Sequence, residues 1–208
     1  RSWRIPEHYS ATWDVLAEYN VDEPAHPFRP FGVTPGHGLE WARLMLHARG
    51  TRKLKNLPVG DWMLEGAENL IASAVADGWN ADGAPGFVYT TDFDGVPDTH
   101  ERMHWVLCEA IGAGVVLSAV LREEGRSGDA EAMEAHVSQW WDYATTYVRE
   151  APGRWIHELD RENRPSYVTW PGKPDVYHAG QMTLLPMLPV SPTFAAAIRD
   201  GLGGLVAE

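Results

Sequence analysis

Residues 101–122, ERMHWVLCEAIGAGVVLSAVLR, read as one helix that is apolar on most of its faces. Such a helix needs neighbours on nearly every side, so this stretch marks the centre of a helical fold. Upstream, Leu39, Ala42, Leu44, Met45 and Leu46 recur at helical spacing from His37 to Gly50. A second helix starts near Asp61, a favoured N-cap residue, and carries Leu64, Ala67, Leu70, Ile71 and Val75 to Gly78. Downstream, a fourth runs from Asp129 to about Val148, with Trp140, Trp141, Tyr143 and Tyr147 as bulk. A fifth begins near Tyr177 and stops before Pro186 or Pro189, and a sixth covers Pro192 to about Leu202. Phe87–Pro97 reads as a short hairpin, and Trp155–Trp170 as another with Asp160 to Arg164 at its turn. Residues 1–36, broken by Pro6, Pro24, Pro27, Pro30 and Pro35, read as loop with short strands.

Long connections follow alternate helices, which is the rhythm of stacked helical hairpins whose long loops gather on one face. Stacking of this kind gives an open solenoid or a closed toroid. About six helices make only part of a ring, and no internal repeat is clear enough to count. The expectation is an all-α chain with residues 1–208 in one domain.

The composition is ordinary for a folded protein: 44% hydrophobic and 22% charged over 208 residues excludes disorder, collagen-like repeats and coiled coil. A net charge of −12 repels phosphate backbones and anionic lipid, so neither nucleic acid nor membrane is expected as a partner. No apolar run is expected to approach membrane-spanning length. Cys108 stands alone, which rules out an internal disulfide or a thiolate zinc cluster and points to a reducing, cytoplasmic setting. Arg1 to Tyr9 lack the apolar stretch of a signal peptide, and the chain opens on Arg1 rather than Met. It is therefore expected to start by processing, at an artificial edge, or in the middle of something longer.

Three helix starts carry chemistry. Thr34-Pro-Gly-His37-Gly-Leu-Glu40-Trp41 puts a base, an acid and a flat apolar surface on one helical face. The helix N-terminus keeps such an imidazole neutral and able to take a proton near pH 7, whereas a nearby carboxylate would raise its proton affinity. The competing reading is a capping His37 beside a solvated Glu40. In Met103-His104-Trp105-Val106-Leu107-Cys108-Glu109, Trp105 and Glu109 share a face as a stacking platform beside an acceptor; the alternative is a core His104 with a buried ion pair. In Trp170 to Gln181, His178 and Gln181 repeat the spacing of His37 and Glu40, while Asp175 reads as an N-cap and Lys173 as solvated. Gly86 to Gly95 lines or rims a site but is too poor in spaced oxygen ligands for calcium. His157, Glu158 and Asp160 form no zinc spacing, so no metal is implied. Ten Trp and seven Tyr exceed the needs of the core, and with the acidic composition they lean toward a neutral polyhydroxylated ligand.

Taken in order, TPGHGLEWARL, FVYTTDFDG, MHWVLCEAIGA, WIHELDRENRP and WPGKPDVYHAGQ resemble the N-acylglucosamine 2-epimerase superfamily over nearly the whole chain. GKPDVYHAGQ is most similar to its aldose–ketose isomerase branch, that of D-mannose and sulfoquinovose isomerases. The resemblance implies an (α/α)6 barrel of which this chain is the C-terminal half, with the other half absent or on a separate chain. It implies proton transfer between adjacent carbons of an open-chain monosaccharide through an enediol, without metal, nucleotide or other cofactor. On this resemblance the catalytic histidines fall on His37 and His178. Glu40 would orient a histidine or a hydroxyl, Trp105 would stack on the sugar, and Arg29, Glu109 and Gln181 would bind hydroxyls. His104 would stand behind these contacts.

The leading expectation is an isomerase, with D-mannose to D-fructose as its reaction. A C2 epimerase, a glycoside hydrolase using Glu40 and Glu109, and a non-catalytic sugar-binding module are the rivals. The isolated half-ring is expected to be inactive or strongly impaired.

Overall fold

The computed structural model describes residues 2–203. Helices α1 (Pro35–Leu54), α2 (Trp62–Gly78), α3 (His104–Glu123), α4 (Ser127–Tyr143), α5 (Val176–Leu184) and the short α6 (Phe194–Arg199) carry the fold. Six short strands, β1 (Thr90–Thr91), β2 (Pro97–Thr99), β3 (Arg102–Met103), β4 (Arg149–Ala151), β5 (Arg154–Trp155) and β6 (Glu158–Leu159), lie in the loops between them.

The packing follows from the apolar faces. Helix α3 is buried along most of its length and touches α1, α4 and α5. Helices α1, α3 and α5 therefore form one row, while α2 packs on α1 and α4 on α3 as a second row. Leu39, Ala42 and Leu46 of α1, Ala67 and Ile71 of α2, Ile111 of α3 and Trp140 of α4 share one continuous core. By length and composition α3 could cross a membrane, contrary to the expectation from the sequence, but most of it is enclosed by the other helices. A helix covered on all sides needs no polar face, which is why it reads like a span. Leu44, expected on the buried face of α1, is instead exposed.

The helix count and order match the sequence reading, with shifted ends. Helix α3 starts at His104 rather than Glu101, because Arg102 and Met103 pair antiparallel with Leu159 and Glu158. The Arg102 guanidinium is buried and binds the Asp82 carboxylate 2.8 Å away, so the backbone before α3 is pinned as strand. The fourth helix reaches Val148 as expected, but its last turn, Ala144–Val148, widens to a π-helix. The sixth is shorter than expected, Phe194–Arg199.

The first hairpin exists, but its pairing is Thr90 with Thr99 and Thr91 with Pro97. The second also exists, over a shorter span than expected. Its turn is closed by the amide of Asp160 donating to the carbonyl of Arg164 at 2.8 Å, Leu159 bridges antiparallel to Pro165, and the Ser166 amide donates to the Glu158 carbonyl at 2.9 Å. Upstream, β5 pairs with β4, and β6 pairs with β3. Beyond Ser166 the returning limb is tied to a side chain. The fully buried carboxylate of Glu158 accepts from Ser166 Oγ at 2.6 Å and from the amides of Val168, Thr169 and Trp170 at 3.0, 3.1 and 2.7 Å. Past the short backbone pairing, these donors fix the loop that ends at Trp170.

Candidate active site

The starts of α1, α3 and α5 open on the same side, and the loops beside them close a cavity of about 500 Å3. His37, Glu40, Trp105 and His178 all line it. Trp105 stands between the two histidines, with ring centroids 5.1 Å from His37 and 5.8 Å from His178. Gly36 makes this possible, because a Cβ there would collide with the six-membered ring of Trp105. A larger groove of about 720 Å3 lies between α5 and the β4–β5 hairpin, but no histidine lines it.

Each histidine is held by a carboxylate on Nδ1. His37 Nδ1 is 2.8 Å from Glu7 Oε1, and that same oxygen accepts the Thr34 amide at 3.1 Å. Asp175 caps α5 by accepting the His178 amide at 2.9 Å, and its other oxygen lies 2.9 Å from His178 Nδ1. A carboxylate accepts, so the neutral ring carries its proton on Nδ1 and keeps Nε2 as a lone pair.

The electrostatics revise one expectation. Burial pushes the His37 pKa down, but the hydrogen bond and charge of Glu7, with the charges of Glu40 and Glu109, outweigh it and leave the pKa above the ordinary value. The helix N-terminus does not win over a carboxylate in direct contact. Burial also raises Asp175, yet the His178 amide and ring hold it down to about 2. His104 is buried, and desolvation lowers its pKa to about 4.

Three other expected contacts are placed differently. Phe28 and Pro30 line the cavity, but Arg29 between them turns its guanidinium to Tyr19 Oη at 3.4 Å and His26 Nε2 at 3.2 Å. Glu109 is buried and accepts both arms of Arg43, at 2.8 and 3.0 Å, with His178 Nε2 3.9 Å from its Oε1. Gln181 is buried one turn beyond His178. None of the three is among the residues lining the cavity. Trp41 is exposed outside it. His104 sits behind the wall, its ring 6.1 Å from that of His178.

Tyr89, from the Gly86–Gly95 stretch expected to line or rim a site, does line the cavity. Glu7, His157 and Trp170, assigned no role from the sequence, line it too. Tyr89 is buried and donates to the Pro27 carbonyl at 3.3 Å, and burial pushes its pKa up to about 12. Phe28 meets Trp170 edge-on at 4.5 Å. The result is a pocket with aromatic walls and two imidazoles backed by carboxylates, the surroundings a small hydroxylated molecule with one labile proton would need.

Known proteins resemble this chain over most of its length. Residues 1–182 match the family model described as N-acylglucosamine 2-epimerase (GlcNAc 2-epimerase). The chain is 50% identical to a D-mannose isomerase of Thermobifida fusca over 200 residues, covering 95% of this chain and 46% of that protein. It is 42% identical to a D-mannose isomerase of Pseudomonas cannabina pv. alisalensis, again covering 95% of this chain and 46% of the relative. A crystal structure of D-mannose isomerase superposes with a TM-score of 0.71 at 26% identity, covering 86% of this chain and 43% of the other. A sugar epimerase from a ruminal bacterium shares the fold alone, with a TM-score of 0.59 at 19% identity over 87% of this chain and 41% of the other. The chain thus spans about half the length of the curated relatives it matches, and its two rows of paired helices form about half of an (α/α)6 barrel. It belongs to the N-acylglucosamine 2-epimerase family.

Proposed function

We propose that the complete barrel containing this chain is a cofactor-independent sugar isomerase that interconverts an aldose and a ketose, D-mannose and D-fructose. The observation that carries the reading is the pair of carboxylate-backed imidazoles, His37 and His178, on either side of Trp105 in one cavity. One imidazole removes the proton on C2 of the opened sugar, next to the carbonyl; the other passes protons at oxygen and assists ring opening. Reprotonation at C1 completes the change. C2 is oxidised as C1 is reduced, so no external oxidant or reductant takes part. Trp105 and Trp170 offer faces to the sugar, and Glu40 orients a hydroxyl.

The similarity to D-mannose isomerases supports the substrate class. The 2-epimerase description of the family supports a second reading, in which the same enediol is reprotonated at C2 on its other face. The hydrolase reading loses ground, because both oxygens of Glu109 are engaged by buried Arg43. Residues 1–208 act as one domain and the C-terminal half of the ring in a cytoplasmic enzyme. The remaining half seats against α5, where Val176 and Tyr177 are exposed beside the 720 Å3 groove. The lone Cys108 is buried, and desolvation pushes its thiol pKa up, so it stays a protonated core residue outside the chemistry.

Proton NMR of D-mannose incubated with the complete protein is the test. Fructose supports the isomerase, and glucose alone would replace it with the epimerase. His37→Ala and His178→Ala should each lower turnover by about 100-fold or more. Intact turnover in both variants would remove the histidine mechanism. The half-ring by itself should show little or none.

A further inference from the structure

At the cavity wall, donor atoms of Asp175 and His178, which line it, and of His104 behind it lie within 4.8 Å of one another. His104 opens α3; the other two belong to the start of α5. The His104 side chain is wholly buried. Its Nδ1 faces the carbonyl of His157 at 3.3 Å, and a carbonyl only accepts, so the ring proton sits on Nδ1. Nε2 is then a bare lone pair. Among the described residues it has no hydrogen-bond partner, although Asp175 Oδ2 stands 3.4 Å away. Two acceptors therefore face each other where water is excluded on the His104 side, an arrangement a bound cation would settle.

We propose that His104, Asp175 and His178 form a binding site for a divalent transition-metal ion of the Zn2+ class, and that the bound ion inhibits the enzyme. Two imidazole nitrogens and one carboxylate oxygen suit Zn2+, Co2+, Ni2+ or Cu2+, whereas Mg2+ and Ca2+ favour oxygen. In a tetrahedral site with bonds of about 2.0 Å, neighbouring donors lie about 3.3 Å apart. The two pairs that involve Asp175 bracket that value, at 3.4 Å with His104 and 2.9 Å with His178, while the third pair, His104 with His178, lies within 4.8 Å and would draw together around an ion. Metal binding at His178 Nδ1 releases its proton to solvent and takes Asp175 away from the ring. A fourth position would face the cavity that His178, Asp175 and Lys173 line, open to water or a sugar hydroxyl. The Lys173 ammonium opposes a cation there, but it is exposed to solvent and screened. The binding half of this inference is independent of the sugar chemistry; only the inhibition rests on the proposed isomerase.

Co2+ titrated into the purified protein without sugar tests the site, read by the intense visible absorption of tetrahedral cobalt. One Co2+ per chain is expected, displaced by Zn2+. Asp175→Asn keeps an equally good helix cap, so the variant should fold and should weaken binding by about tenfold or more. His178→Gln should do the same. His104→Gln, at a buried position, adds a third measurement if circular dichroism shows it folded. His100→Asn removes a ring that pairs with Asp82 elsewhere and should leave binding unchanged. Absence of the cobalt bands at millimolar Co2+, or wild-type affinity in Asp175→Asn, overturns the site. A site that binds cobalt while Zn2+ leaves turnover unaltered would overturn the inhibition alone. Absence of any sugar turnover would touch only the isomerase reading.

Discussion

Oε1 of Glu7 lies 2.8 Å from Nδ1 of His37, joining a proline-rich N-terminal loop to the first turn of α1 across thirty residues of sequence. The same oxygen accepts the Thr34 amide, so one carboxylate both satisfies a donor at the helix start and orients the imidazole. Asp175 does the equivalent work for His178, from only three residues away. The two imidazoles thus receive the same support by unrelated routes.

Glu7→Gln should lower the His37 pKa, because Glu7 is the main group opposing desolvation. Imidazole proton NMR across pH would show the His37 titration moving to lower pH. A raised folded pKa contributes stability fully present below the unfolded value, about 6.5, and lost as pH rises through the folded pKa. The stability gap between wild type and Glu7→Gln should therefore narrow as pH rises past that range. An unchanged His37 titration would show that Glu7 does not set its charge.

Gly36→Val should disturb the cavity more than it disturbs the fold. Gly36 has room for no Cβ because Trp105 and Val106 lie against it. Trp105 is only partly buried, so it can swing away from the helix start and lose its place between His37 and His178. Tryptophan fluorescence and sugar affinity should change together. A variant with wild-type sugar affinity would show that Trp105 is not the stacking surface.

How much of this was legible from the sequence depended on range. The apolar run of α3 announces its burial, and His37–Glu40 and His178–Gln181 are visible because each pair lies one turn apart on one helix. Glu7 gives no local signal: its partner is His37, and nothing near Glu7 in sequence asks for a carboxylate. Glu158 is hidden in the same way, since the amides it accepts belong to residues 168–170 and only the closed loop gathers them. Asp175 was readable as a cap, but its second contact, to the His178 ring, needed the geometry. Arg29 shows the reverse failure, where a loop is rightly placed while its side chain turns to Tyr19 and His26.

Glu158→Ala should cost about 3 kcal/mol or more, because it strands several buried donors at once. Urea denaturation measures the loss. The damage should concentrate on the loop to Trp170, so limited proteolysis within residues 160–172 should quicken even where the helices persist. Glu158→Gln keeps one acceptor oxygen and should fall between the two. Equal proteolysis of the wild type and Glu158→Ala would mean that the loop is held by something other than this carboxylate.

The buried pair of Arg43 and Glu109 separates folding from chemistry. Both side chains are almost wholly enclosed, at 3% and 1% exposure, and joined by two hydrogen bonds. Removing one partner leaves the other charge buried without compensation, so Arg43→Met or Glu109→Leu alone should cost about 3–5 kcal/mol. Removing both replaces two desolvated ions with apolar volume between α1 and α3, and Arg43→Met with Glu109→Leu should recover most of the loss. If Glu109 serves only this pair, the double variant in the complete protein should fold and keep its affinity for sugar. Recovered stability with lost sugar affinity would instead show that Glu109, 3.9 Å from His178 Nε2, reaches the substrate or sets that imidazole. Stability measured by denaturation and binding measured by calorimetry on the same four proteins decide between these roles.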